Sequence, residues 1–265
     1  MSAARTGHVR NRRTVDRVAP GMDQSHGERR ALWVFAHPRQ ESLNAALRDA
    51  GVASLREDGW TVDVADLYAE RFDPVLIDGG GEDVRAYQQR LLAADLLVLQ
   101  FPLWWYGMPA ILKGWIDRTF ERGFAYDVVD PDTGRARKYG DGGLAGRRAL
   151  AVVTAGDRQA SISPRGISGD IEDIFWTLLH GTFFYTGMDA LTPHVLTGVH
   201  GATDNMVRVM TEGLRRRLRT VTTEEPIAYL PMTDEHYDHS IALHAHIAAG
   251  ESGGRAHRAG PVPRA

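Results

Sequence analysis

The chain has 265 residues, of which 43% are apolar and 25% charged, with a net charge of −3; this ordinary globular balance excludes disorder throughout and gives no electrostatic pull toward nucleic acid or an anionic membrane surface. There is no cysteine, so disulfides, thiolate nucleophiles and Cys-ligated zinc or iron–sulfur centres are excluded, and redox chemistry would have to come from a bound cofactor. No apolar run approaches the roughly 20 residues that span a bilayer and no apolar secretory core follows Met1, so a cytoplasmic protein is expected, with no metal site, no nucleic-acid partner and no membrane insertion.

In chain order, residues 1–30 are rich in Arg, Gly and small polar residues without apolar periodicity, and read as a disordered tail. The stretch "ALWVFAH" from Ala31 is a short β-rich run, and "SLNAALRDAGVASLRE" places apolar residues at helical spacing behind Ser42 as N-cap. "TVDVADL" alternates like a strand, "EDVRAYQQRLLAA" is helical, and "DLLVLQF" is a near-continuous apolar run, as expected of a central parallel strand buried on both faces. A helix from about Pro109 to Arg122 opens on proline, and a Gly- and Asp-rich connection then leads to the strand "RALAVVTAG". "SGDIEDIFWTLLHGTFFYTG" reads as one amphipathic helix, "ALTPHVLTGV" as an edge strand marked by Pro193, and "DNMVRVMTEGLRRRLRTV" as a closing helix. One α/β domain over 31–245 is expected, with an extension from about 222 and a disordered tail over 246–265.

Strands alternating with helices imply right-handed crossovers, a parallel sheet covered on both faces, and ligands at the carboxyl ends of the strands. The first such loop, His37 to Asn44, carries neither G-x-G-x-x-G nor a P-loop. Its free backbone N–H groups with His37, Ser42 and Asn44 suit a phosphate at the positive end of a helix, although plain capping by Ser42 accounts for the same residues. The third loop sets Trp104, Trp105 and Tyr106 in succession between a buried strand and a proline-started helix. Such rings pack on something flat: a ligand, the domain itself or a dimer contact. The fourth loop, Thr154, Ala155 and Gly156, allows close backbone approach to a planar group. Together the loops describe a cleft with a phosphate end and an aromatic end.

Four segments, "FAHPRQESLNAAL", "DLYAERFDPVL", "QFPLWWYGMPAILKGWIDRTFERGFAY" and "TAGD…GISGDIEDIFW", resemble, in order, the flavodoxin-like NAD(P)H:quinone oxidoreductases of the diaphorase type. The likeness covers about Ala31 to Val221, and P-x-x-W-[FY]-G-x-P-A-x-L-K-G-W is its most specific part. It implies an α/β flavodoxin-like three-layer sandwich with a five-stranded parallel sheet of order 2-1-3-4-5. It also implies FAD, with FMN as the alternative, NADH or NADPH as electron donor, and a homodimer with its active site at the subunit contact. The implied reaction is ping-pong two-electron hydride transfer to quinones or similar flat aromatic acceptors.

By the same resemblance, His37, Ser42, Leu43 and Asn44 hold the flavin phosphates, while Pro102, Leu103, Trp104, Trp105, Tyr106, Thr154, Ala155, Gly156 and Asp157 line the isoalloxazine. Backbone N–H groups such as that of Gly156 would stabilise the charge on a reduced ring. Trp105, Tyr106 and Tyr185 would wall the ring and acceptor slot, and Tyr126 would be a lid donated by the neighbouring subunit. Three positions depart from the pattern. The tyrosine and histidine assigned to charge relay are Ile162 and Ser168, and a second lid tyrosine is Val128. Direct hydride transfer between stacked rings does not require the relay. The resemblance also admits another class, an ancillary flavoprotein subunit of a potassium-efflux transporter, which turnover by the isolated protein would distinguish.

Overall fold

The structure, a computed structural model, describes residues 28–77 and 79–259. The expected N-terminal tail lies outside the described residues up to residue 27, and so do residues 260–265. The elements are β1 (Arg30–Phe35), α1 (Leu43–Glu57), β2 (Thr61–Asp66), α2 (Glu82–Leu92), β3 (Leu96–Pro102), α3 (Ala110–Thr119), a small hairpin of β4 (Val128–Val129) and β5 (Ala136–Arg137), β6 (Arg148–Thr154), α4 (Ile171–Ile174), α5 (Trp176–Leu178), a π-helical turn (Leu179–Phe184), β7 (Asp189–Ala190), β8 (His194–Leu196) and α6 (Asp204–Arg219).

The main sheet is parallel in the order β2-β1-β3-β6-β7, with β8 also on β6. The expected fifth strand is thus split. Its first piece pairs with the start of β6 and its second with the end, and Leu191–Thr192–Pro193 bows out between them because proline offers no N–H to the ladder. Every residue of β3 is buried, as a strand covered on both faces requires. Trp33, Phe35, Val98 and Val152 pack toward α1 and α6, while Leu32, Val34, Leu99 and Val153 pack toward α2, α3 and the π-helical turn. A Cβ on Gly51 would lie 2.3 Å from the Trp33 ring, so glycine is what lets α1 rest on the sheet. Pro109 is the N-cap of α3, which ends at Thr119, three residues before the expected limit at Arg122.

The expected single helix after β6 is instead three short pieces. Asp170 caps α4, the backbone leaves helical geometry at Phe175, and one widened turn follows α5. That turn aims Leu179 and Phe183 into the core and His180 the other way, stacked on Trp176 with centroids 4.1 Å apart. Residues 246–259 correct the expectation of a loose C-terminal tail. Arg255 and Arg258 pair with Asp173 and Glu172, Leu230 N–H donates to His257 C=O, and Ala259 N–H donates to Ala228 C=O. What makes this segment stick is aromatic: Tyr229 and His257 close a box of rings around His180.

That box has a pH consequence. The Nε2 atoms of His180 and His194 are buried without a partner among the described residues, and burial pulls each imidazole down to about 4, helped by the neighbouring His257 and Arg217 respectively. Both rings are neutral in the native state, so their stabilisation is complete above the ordinary value of 6.5 and is lost as pH falls toward about 4. Urea unfolding is expected to show a loss of up to about 2 kcal/mol per imidazole at about pH 5 relative to pH 7.5. His180→Phe, which keeps a ring on Trp176, should flatten roughly half of that slope; an unchanged slope would refute the assignment.

Candidate active site

The carboxyl ends of β1, β3 and β6 lie side by side, with Phe35 opposite Gln100 and Pro102 opposite Thr154. Because β1 is followed in space by β2 on one side and β3 on the other, this is the point where strand order reverses and a crevice opens. The crevice is a cleft of about 280 Å³, near the lower end of ordinary small-ligand pockets. His37, Ser42, Leu43, Asn44, Pro102, Leu103, Trp104, Thr154 and Gly156 line it, together with Arg39, Val199 and His200, which the sequence reading did not single out.

At one end stands the start of α1. Ser42 Oγ accepts from Ala45 N–H, leaving the N–H groups of Leu43 and Asn44 without acceptors among the described residues. His37 Nδ1 lies 3.2 Å from the main-chain N and O of Arg39 and from Ser42 Oγ, contacts that hold the ring against the start of the helix. The pieces of an anion site are present: helix-terminal donors without acceptors among the described residues and a buried imidazole beside them.

Beneath them runs a buried polar chain. Trp33 Nε1 donates to Gln100 Oε1 (2.9 Å), Gln100 Nε2 donates to Asn44 C=O (2.7 Å), and Thr154 Oγ1 donates to Asn44 Oδ1 (3.1 Å). The first turn of α1 is thereby fastened to β1, β3 and β6 together. Gln100 was missed by the sequence reading, although a glutamine inside an apolar strand was a visible signal.

At the other end, Trp104 and Gly107 exchange both backbone hydrogen bonds at 3.0 Å, forming a two-residue turn. Its central residues, Trp105 and Tyr106, have φ of 51° and 58°, a geometry ordinarily left to Asn-Gly and costing other residues about 1–2 kcal/mol each. The N–H groups of Trp105, Tyr106, Gly156 and Asp157 have no acceptor among the described residues. A Cβ on Gly156 would sit 2.3 Å from the His200 ring, so glycine keeps this wall flat.

Six expected site residues are not on the cleft surface, four of them near it and two in a separate cavity. Ala155 is buried behind it, Asp157 is on the exposed loop beyond it, Trp105 is 99% exposed, and the Tyr106 hydroxyl turns to Ser168. Tyr126 and Tyr185 line a separate cavity of about 720 Å³ with Ile77, Phe120 and Thr182. A single chain therefore does not bring these two tyrosines to the cleft. Among the described residues there is no cluster of side chains suited to a metal ion, and no helix long and apolar enough to cross a membrane.

A five-position parallel sheet with a polar helix start and an aromatic turn at its switch point defines a flavodoxin-like α/β protein. Residues 29–217 match the family described by its flavodoxin-like fold. A ribosyldihydronicotinamide dehydrogenase-like protein of Penicillium crustosum is 36% identical over 81% of this chain and 90% of its own length. An NAD(P)H dehydrogenase [quinone] 1 of Cavia porcellus is 34% identical over 77% of this chain and 81% of its own. A crystal structure from Klebsiella pneumoniae, assigned as a quinone reductase, superposes with a TM-score of 0.82 at 35% identity, covering 88% of this chain and all of that one. The chain belongs to the flavodoxin-like NAD(P)H:quinone oxidoreductase family.

Proposed function

We propose that the protein carries two electrons from NADH or NADPH to a quinone or similar flat aromatic acceptor through a flavin, FAD with FMN as the alternative, in a ping-pong cycle. The observation that supports this most is the convergence of unpaired backbone donors and a Cβ-free wall on one cleft at the switch point. His37, Ser42, Leu43 and Asn44 would hold the phosphates; Pro102, Leu103, Trp104, Thr154 and Gly156 would hold the ring. A flavin bound there supplies a centre that accepts a hydride and later gives it up. The chain's own part is to fix the ring's position, to offer N–H groups from Gly156 and the aromatic turn to the charge on its pyrimidine edge, and to keep water from its stacked face.

A homodimer completes the reading. Trp105 on the aromatic turn and Ile167 beside Ser168 are 99% and 98% exposed, and Ile77, on the separate cavity with Tyr126 and Tyr185, is 81% exposed, an unusual amount of bare apolar side chain. A second copy laid over this face would cover them and bring Tyr126 and Tyr185 across to the acceptor slot, with Trp105 and Tyr106 as its near wall. The expected site of action is the cytoplasm.

The test is spectroscopic. The purified protein is expected to be yellow or to become so on adding flavin, to release FAD or FMN on denaturation, to bleach with NAD(P)H and to recolour with menadione. A colourless protein that neither flavin reconstitutes would overturn the proposal.

A further inference from the structure

At the position where the resemblance leads one to expect a relay histidine stands Ser168, and the structure gives it other partners. Its Oγ lies 3.1 Å from Tyr106 Oη, 3.0 Å from Ser161 Oγ and 3.2 Å from Asp157 Oδ2, to which it donates. A serine hydroxyl has one proton and two lone pairs. With its proton committed to the carboxylate, the most favourable acceptor present, it accepts from Tyr106 and Ser161, and its capacity is filled. Its own N–H donates to Ser161 C=O at 3.0 Å, which holds the serine in place.

Tyr106 and Ser168 stand on different loops, 62 residues apart in sequence. The bond between them runs from the aromatic turn after β3 to the long loop after β6, that is, between the two walls of the cleft. Among the described residues it is also the one side-chain hydrogen bond made by the central residues of that turn, whose left-handed backbone has to be held by its surroundings.

We propose that Ser168 is a positioning residue: it clasps the Tyr106 hydroxyl to the Asp157 carboxylate and so holds the aromatic turn against the loop after β6, setting how long the flavin stays and how wide the acceptor slot opens. The inference rests on the flavin reading for what the clasp retains, but the clasp itself is a property of the protein alone.

It is therefore tested first on flavin-free protein, using trypsin cleavage after the exposed Arg158 and Arg165 of the same loop, located by fragment mass. Cleavage follows the fraction of time the loop is open. Losing a hydrogen bond of about 0.5–1.5 kcal/mol should speed it roughly two- to tenfold. Ser168→Ala and Tyr106→Phe are both expected to show this, and Ser168→Thr, which keeps the hydroxyl, is expected to restore the slow rate. In flavin-loaded protein Ser168→Ala, which leaves the Tyr106 ring in place, should release flavin faster by a similar factor and raise KM for the acceptor, with kcat within about twofold.

Fast cleavage in Ser168→Ala with wild-type cleavage in Tyr106→Phe would mean that Ser168 holds only its own loop, and would overturn the clasp, as would wild-type rates in both. A wild-type protein that binds no flavin would overturn the proposed function and leave the trypsin result standing on its own.

Discussion

A Gly156→Val protein is expected to fold normally and to be purified without flavin. The ideal Cβ at this position lies 2.3 Å from both Cδ2 and Nε2 of His200, well inside any tolerated contact. The obstructing atoms are the far end of a side chain at the cleft wall, so the imidazole can swing aside instead of forcing the backbone apart. Melting should therefore shift by no more than a few degrees, corresponding to about 1 kcal/mol. The cleft fares worse. It holds about 280 Å³, and both the new isopropyl group and the displaced ring have to share it with the ligand. Loss of a close backbone approach together with steric overlap should weaken flavin binding by more than about 100-fold, near 3 kcal/mol. Gly156→Ala should show the same effect in smaller degree. The ratio of flavin to protein absorbance after gel filtration measures it, and a valine variant with wild-type flavin content would show that this wall does not face the ring.

The parts of the fold that could be read in advance are those where one pattern dominates. The alternation that opens "TVDVADL" and the buried run before the tryptophans each have one satisfactory solution, and both form strands of the central sheet. Ser42 could be placed as a cap because a short hydroxyl before an apolar-periodic stretch has few other uses. What escaped was decided by tertiary contacts. The helix after β6 reads as one amphipathic helix, yet it carries a widened turn through which Phe175, Leu179 and Phe183 all reach the core. Residues 246–259 look like a tail because their anchors, Arg255, His257 and Arg258, are polar and their partners lie some eighty residues away.

The site was legible where resemblance and chemistry pointed to the same residue. The nine expected residues that line the cleft include every one from the helix start. Arg39, Val199 and His200 escaped because nothing in a loop's composition tells which of its side chains turns inward. For Tyr126 and Tyr185 the sequence names aromatic residues but one chain seats them in another cavity, so a place for them at the site belongs to the dimer proposal.

Gln100→Leu is expected to be the most damaging conservative-looking change in the core. The two side chains have similar size though different branching, so the main effect is polar. Gln100 is fully buried and answers two groups: the indole N–H of Trp33 and the main-chain carbonyl of Asn44. Leucine leaves both without partners, at about 1–3 kcal/mol each. The sum is a large share of the roughly 5–15 kcal/mol that holds an ordinary domain together. Trp33→Phe in the same chain removes the orphaned donor but leaves a gap against Gly51, so the double variant should lose less than the sum of the two single variants, an interaction that urea unfolding of the full cycle resolves. Flavin affinity should fall further than stability alone accounts for, because the Asn44 carbonyl belongs to the first turn of α1, where the phosphates are proposed to sit. A Gln100→Leu protein with wild-type urea midpoint would show that the buried chain from Trp33 to Thr154 does not hold that turn in place.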